Sequence, residues 1–232
     1  EGWMKGGNGN TVQSWMWKRH AGFDVVTFQG SGSARLIPHS MNAIPEFIIV
    51  KNRETANNQW YIYHKGLNGG TNPEDYYVKL GASGDAAEAA DAGNYLFNSI
   101  APTSTHFSVG TSSAINESGK GSIAMLFASV DGISKVGYYD GSDSSQTITT
   151  GFQPRFLILK RATAISGVNN PWYVLDTTRG WGSGDDKYLE LQTTGAQGDF
   201  DFGAPTSTGF TLIGNNNGIS KSGHKYIYYA HA

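Results

Sequence analysis

Pro45-Glu46-Phe47-Ile48-Ile49-Val50-Lys51 returns later in the chain as Pro154-Arg155-Phe156-Leu157-Ile158-Leu159-Lys160, and the recurrence governs the reading of the whole sequence. A proline cannot donate to a β-ladder, so it belongs at the first residue of a strand. The aliphatic and aromatic run behind it, bounded by charge, reads as a buried strand. Outward from this pair the similarity continues in the same order. Trp60-Tyr61-Ile62-Tyr63-His64 is echoed by Trp172-Tyr173-Val174-Leu175-Asp176, and Tyr77-Val78-Lys79-Leu80 by Tyr188-Leu189-Glu190-Leu191. Ala101-Pro102-Thr103-Ser104-Thr105 recurs unchanged as Ala204-Pro205-Thr206-Ser207-Thr208.

Self-similarity of this kind predicts a tandem architecture. Each copy closes on a hydrophobic strand after a Ser-Gly turn, at Ser118-Gly119 and Ser222-Gly223. A strand beginning at Met16 resembles the one beginning at Met125, so the last strand of one copy runs almost directly into the first of the next. The expected units are residues 16–128 and 129–232, with residues 1–15 a lead-in from a longer chain, since residue 1 is Glu rather than Met. No Gly/Ser or Pro-rich tether separates the units, which predicts rigid packing between them.

Within the first unit, strands are expected at Asp24–Phe28, Ala34–His39, Glu46–Lys51, Gln59–His64, Tyr76–Leu80, Thr105–Val109 and Ser122–Ala128. About seven short strands separated by turn residues suit a β-sandwich. The expected fold is therefore all-β: two tandem, homologous, jelly-roll-like β-sandwich units. Glycine at 31 residues, aromatics at 12% and charged residues at only 16% fit that class. Helix-forming composition is confined to Asp85–Ala92, long enough for one or two turns.

A formal charge of −2 from 17 basic and 19 acidic residues, without blocks of one sign, offers no footprint for nucleic acid. Zero cysteines remove disulfides and thiolate chemistry. No apolar run approaches the roughly 20 residues that would span a bilayer as a helix, so membrane insertion is not expected.

Catalytic motifs are missing as well. There is no Gly-x-Ser-x-Gly elbow, and Gly119-Lys120-Gly121 does not continue into a phosphate-binding loop. His20, His39, His64, His106, His224 and His231 include no His-x-His or His-x-x-x-His pair, so neither metal nor cofactor is expected. Acidic residues gather at Glu74-Asp75, Asp140 with Asp143, and Asp185-Asp186, in loops where carboxylates could coordinate calcium or flank a glycosidic bond, but where Asp and Gly also favour turns for backbone reasons alone. A retaining glycosidase would need two carboxyls about 5 Å apart, and no catalytic residue is assigned.

Aromatics are more informative. Trp60-Tyr61-Ile62-Tyr63, Tyr76-Tyr77, Trp172-Tyr173 and Tyr226-Ile227-Tyr228-Tyr229 place rings at adjacent positions, and successive strand side chains point to opposite faces. Some rings therefore face away from their own unit's core, either to stack on sugars or to be covered by the neighbouring unit. In the long loop Thr178-Arg179-Gly180-Trp181-Gly182-Ser183-Gly184-Asp185-Asp186, Trp181 is either a ligand-contacting ring or a hydrophobic plug. The expected ligand set is Trp181, Arg179, Asp185 and Asp186, joined by Tyr63 and His64. The corresponding loop of the first unit, residues 65–75, is expected to share a contact surface with it. Asp176 stands where the first unit has His64, which argues against two equivalent sites at that position.

Met16-Trp17-Lys18-Arg19 before Phe23-Asp24-Val25-Val26, Pro38-His39-Ser40 before Pro45-Glu46, Trp60 to Gly66, Ala101 to Thr105, Met125 to Ala128 and Tyr226 to Ala230 together resemble a domain of large virion proteins of marine bacteriophages, described as tail-fibre-like. The resemblance spans nearly the whole chain and carries no catalytic residues with it. It implies a virion protein made in the bacterial cytoplasm, contacting other virion proteins and itself, with a trimer the form expected of a fibre. The function it implies is a tail-fibre or receptor-binding module touching a host glycan or protein. Head decoration or another assembly role is the alternative, with a polysaccharide depolymerase behind both.

Overall fold

Phe47-Ile48-Ile49-Val50 is apolar at every position rather than every second one, the pattern of a strand covered on both faces. A computed structural model describes residues 15–19, 22–55, 59–81 and 87–232, and in it this run is buried from end to end. The first half forms β1 (Phe23–Gln29), β2 (Arg35–Pro38), β3 (Phe47–Asn52), β4 (Trp60–His64), β5 (Tyr76–Leu80), β6 (Ala89–Ala90), β7 (His106–Val109) and β8 (Gly121–Phe127). One short helix, α1 (Ser113–Asn116), precedes β8. The second half forms β9 (Ser134–Asp140), β10 (Gln146–Thr149), β11 (Phe156–Arg161), β12 (Tyr173–Asp176), β13 (Asp186–Glu190), β14 (Gly198–Phe200), β15 (Pro205–Thr206), β16 (Gly209–Leu212) and β17 (Lys225–His231).

All the strand pairings are antiparallel. One six-stranded sheet has the order β1-β8-β3-β4-β5-β6, and the other, read from its opposite edge, has β9-β17-β11-β12-β13-β14. Registers agree too: Phe47 pairs with Phe127 and His64, and Phe156 with His231 and Asp176. The two halves thus carry the same strand order and the same registers.

Pleating sends alternate residues of β3 and β11 to opposite faces. Phe47 and Ile49 meet Phe156, Ile158, Trp172, Ile227 and Tyr229 in a central core shared by the two large sheets. Ile48 and Val50 face outward to Ile37, Phe107 and Val109 of a β2–β7 ribbon. Leu157 and Leu159 face outward to Phe210 and Leu212 of the small β10-β16-β15 sheet. The result is a four-layer sandwich, with each fully buried side chain of this size contributing about 1.5–3 kcal/mol. The adjacent tyrosines of β17 are explained by the stacking: Tyr226 and Tyr228 enter the outer core of the second half, Tyr229 the central one.

Polar pins cross the central core. Trp172 Nε1 donates to the Lys79 carbonyl at 2.9 Å, and the Glu88 N–H donates to the Ala162 carbonyl at 2.7 Å. At the junction between the halves, Glu46 takes hydrogen bonds from the Ser129 N–H (2.8 Å) and hydroxyl (2.5 Å) and from Lys65 Nζ (2.6 Å).

Two expectations are corrected. The described part of Asp85–Ala92 is not helical, because Ala89 and Ala90 pair with Tyr77 and Tyr76 as β6. An eight-residue segment nucleates poorly as a helix, and a free sheet edge outcompetes its propensity. The described residues from Met16 to Arg19 form no strand; Trp15 and Trp17 pack on Phe156 at 5.5 and 5.7 Å between ring centroids. Residues 1–14 of the expected lead-in and His20 lie outside the described residues.

Candidate functional site

The loop expected to bind a ligand is stapled to the body of the protein. A 3₁₀ turn, Thr177–Arg179, is capped by Asp176, whose carboxylate accepts the Arg179 N–H at 2.8 Å and Arg179 Nε at 2.6 Å. Asp186 is fully buried and bridges the two ends of the loop's anchor, accepting the Gly182 N–H at 2.8 Å and the Phe202 N–H at 2.9 Å. Burial raises its pKa, against those two hydrogen bonds.

Trp181 is 3% exposed, packs edge-on against Phe210 and donates Nε1 to the Gly203 carbonyl at 2.9 Å. It is the plug, not an open ligand platform. Asp185 alone of this set is exposed. The corresponding loop of the first half is anchored by Leu67 in the central core, whereas Trp181 enters the outer core of the second half. The two loops therefore do not share an anchoring surface.

Tyr63 and His64 are also buried, at 5% and 1% exposure, on opposite faces of β4. Tyr63 meets Phe97 in the outer core of the first half. His64 turns to the central core: its Nδ1 accepts the Gly66 N–H at 3.0 Å, which leaves Nε2 to donate to the Tyr228 carbonyl at 3.1 Å. Burial, helped by the nearby Lys65 ammonium, pushes the imidazole down to about 3 against the opposing pull of Tyr228 and Glu46. The residues expected to form one ligand set are thus divided among separate cores, with Tyr63 in the outer core of the first half and Trp181 in that of the second.

A recess that the sequence reading did not assemble lies on the outward face of β12 and β13. Tyr173, Tyr188, Phe200 and Phe202 wall a cavity of about 160 Å³, with Asp199 and Asn216 as its polar groups. The rings stand nearly perpendicular to one another, Tyr173 to Tyr188 at 5.4 Å, Tyr173 to Phe202 at 5.0 Å and Tyr188 to Phe202 at 5.3 Å. Gly198 makes this possible, because it lies directly across from Tyr188 and a Cβ there would stand 2.3 Å from the phenol ring. Asp199 is ion-paired with Lys187. Glu190 faces Tyr173 across the ladder. Burial, then the Tyr188 hydroxyl and the Glu190 carboxylate, push the Tyr173 phenol up to about 12, and burial with Glu190 raises Tyr188. The signal for this recess was the alternation Phe200-x-Phe202, which places rings beside a Tyr-bearing strand only once β13 and β14 are paired.

Among the described residues no group of three or more His, Asp or Glu side chains is placed to hold a metal ion, and no helix is long and apolar enough to cross a membrane. Of the other acidic residues singled out, Asp140 pairs with Lys225 at 2.7 Å and Asp143 with Lys221 at 2.9 Å. No curated protein matches this sequence. A family model does, over residues 3–232 and hence both halves together: the chain belongs to the family described as Domain of unknown function (DUF7483).

Proposed function

We propose that this chain is a non-catalytic adhesive module of a bacteriophage particle, a tail-fibre or receptor-binding component built from a duplicated unit, residues 16–128 and 129–232. The single observation that carries the adhesive reading is the aromatic recess of Tyr173, Tyr188, Phe200 and Phe202, open at the surface with polar groups at its edge. Ring faces supply large contact area at low entropic cost, the chemistry by which rigid β-modules hold sugars and other surface ligands. The rigid frame supports the same reading, since a four-layer stack pinned across its centre holds the recess without a flexible hinge. The shared strand order supports the duplication, and the resemblance noted above supplies the virion setting. In this reading the partners are other virion proteins, further copies of the chain, and a glycan or protein of the host surface.

Two measurements test it. Cryo-electron microscopy of the intact particle would place the chain in a few symmetric copies around the tail with the recess outward, whereas copies tiling the head would overturn adhesion in favour of decoration. Binding of the purified protein to host cells should fall in a Tyr188→Ala variant that retains its unfolding temperature, and undiminished binding would remove the recess from the proposal.

A further inference from the structure

The tyrosine pair at the centre of the recess occurs in both halves, but only the second half leaves it open. In the first half, Tyr61 and Tyr77 lie 5.7 Å apart, and Lys79 places its ammonium 5.3 Å from one ring and 5.5 Å from the other. That pair is covered by a side chain of its own sheet, held by the ring quadrupoles. Tyr173 and Tyr188 stand at the same ladder positions, 5.4 Å apart, and the residue in the place of Lys79 is Glu190, which does not line the recess. The walls differ as well. Tyr77 pairs with Ala89 and Tyr188 with Gly198, so two residues further along Phe200 stands where the first half has Asp91. Asp91 is engaged by the N–H groups of Tyr95 and Leu96 at 3.0 and 2.7 Å.

The lining of the recess is that of a site for a ring with one apolar face and a polar fringe. Its deepest residues are apolar, Phe202 and Ile219 being 1% exposed. Polar groups stand around them. Asn216 Oδ1 accepts the Gly218 N–H at 2.8 Å, which leaves Nδ2 as a donor to the recess. Burial raises the pKa of Tyr173 and Tyr188, so each hydroxyl stays protonated and donates as well as accepts. Asp199 and Lys187 satisfy one another at the edge, so a charged ligand would either break that pair or leave its own charge without a partner. A cavity of about 160 Å³ is smaller than the roughly 300–1,000 Å³ of pockets that enclose a drug-sized ligand, and suits one sugar ring rather than a run of them.

We propose that the recess binds a single neutral hexopyranose, the terminal sugar of a glycan, and that the chain carries one such site despite its duplication. The inference rests on the recess being the contact site of an adhesive module, and specifies the ligand. The C–H face of the sugar lies on the ring faces, while its hydroxyls exchange hydrogen bonds with the Asn216 amide and the two phenols.

The test is titration of the full chain, followed by NMR of its tyrosine rings, with glucose, galactose, mannose and N-acetylglucosamine. Glucosamine, glucuronate and cyclohexanol serve as charged and apolar comparisons. At least one neutral sugar should bind saturably at one site per chain, with a dissociation constant on the order of 1 mM, roughly tenfold tighter than any of the three comparisons. Asn216→Asp keeps the acceptor for Gly218 and removes the Nδ2 donor, so it should weaken that sugar several-fold with the unfolding temperature unchanged. Tyr188→Ala should abolish binding. Cyclohexanol binding as tightly as the sugars reveals a merely apolar pocket, and glucosamine or glucuronate doing so a charge site; either overturns the inference. Two equivalent sites per chain, or sugar binding untouched in both variants, overturn it too. If no neutral sugar binds, the inference falls; adhesion through the recess then stands where Tyr188→Ala still loses host-cell binding, and falls where it does not.

Discussion

His64 should make the stability of this protein depend on pH in a window where most proteins are flat. The imidazole is 1% exposed, neutral, and locked as the Nε2–H tautomer between the Gly66 N–H and the Tyr228 carbonyl. Its pKa falls from 6.5 to about 3 on folding, with burial the largest cause. Between these values the unfolded chain takes up a proton that the folded chain refuses, so stability rises with pH across the window and is lost as pH falls below 6.5. From pH 7 to pH 5 the folded imidazole stays neutral throughout, and the loss is set by the unfolded pKa alone at about 2 kcal/mol. His64→Gln keeps a donor and an acceptor on a side chain of comparable reach but cannot titrate. Urea unfolding followed by tryptophan fluorescence at pH 7, 6 and 5 should show wild type more stable at pH 7, with the gap closing by about 2 kcal/mol at pH 5. His39, also shifted downward by burial, is common to both proteins and cancels in the comparison. A gap that stays constant from pH 7 to pH 5, or an imidazole signal titrating near 6.5 in the folded protein, would refute the reasoning.

Trp181→Ala should cost about 3–5 kcal/mol in urea unfolding, since the ring fills the outer core beside Phe210; a variant of wild-type stability would return Trp181 to the surface. Trp172→Phe removes the donor to the Lys79 carbonyl and should cost about 1–3 kcal/mol, checked by thermal unfolding, with an unchanged midpoint counting against that bond as a pin between the sheets. Gly198→Ala forces Tyr188 aside and should cost about 1–3 kcal/mol. It should also weaken any ligand of the recess, and a crystal structure with Tyr188 unmoved would contradict the packing argument.

Much of the fold was legible in the sequence because strand formation here is locally encoded. The prolines at 45 and 154 start their strands two residues later, and Tyr76–Leu80 is a strand over the range its β-prone residues indicate. Each of the seven strands expected in the first half is present, with ends that agree within one residue. The helix expected over Asp85–Ala92 failed for the complementary reason, since intrinsic propensity in so short a segment is worth less than pairing with an available edge.

The residues of the expected ligand set lie apart for a different reason. Trp181 in a glycine-rich loop has the same local sequence whether its ring faces water or fills a gap, and the gap is formed by Phe210 and the Gly203 carbonyl, more than 20 positions away. His64 and Asp176 occupy one register position in the two sheets, yet one bridges to Tyr228 across the central core and the other caps a turn. The sequence by itself determined that this is a repeated all-β chain, because runs such as Phe47–Val50 and Phe156–Leu159 state locally that both faces of a strand are covered. Only the tertiary structure decided what covers them: the partner sheet on one face, the small outer sheets on the other, and, where β13 meets β14, an aromatic recess left open. Strand preference is a property of neighbouring residues, whereas cover, burial and a cavity are properties of segments brought together from far apart in the chain.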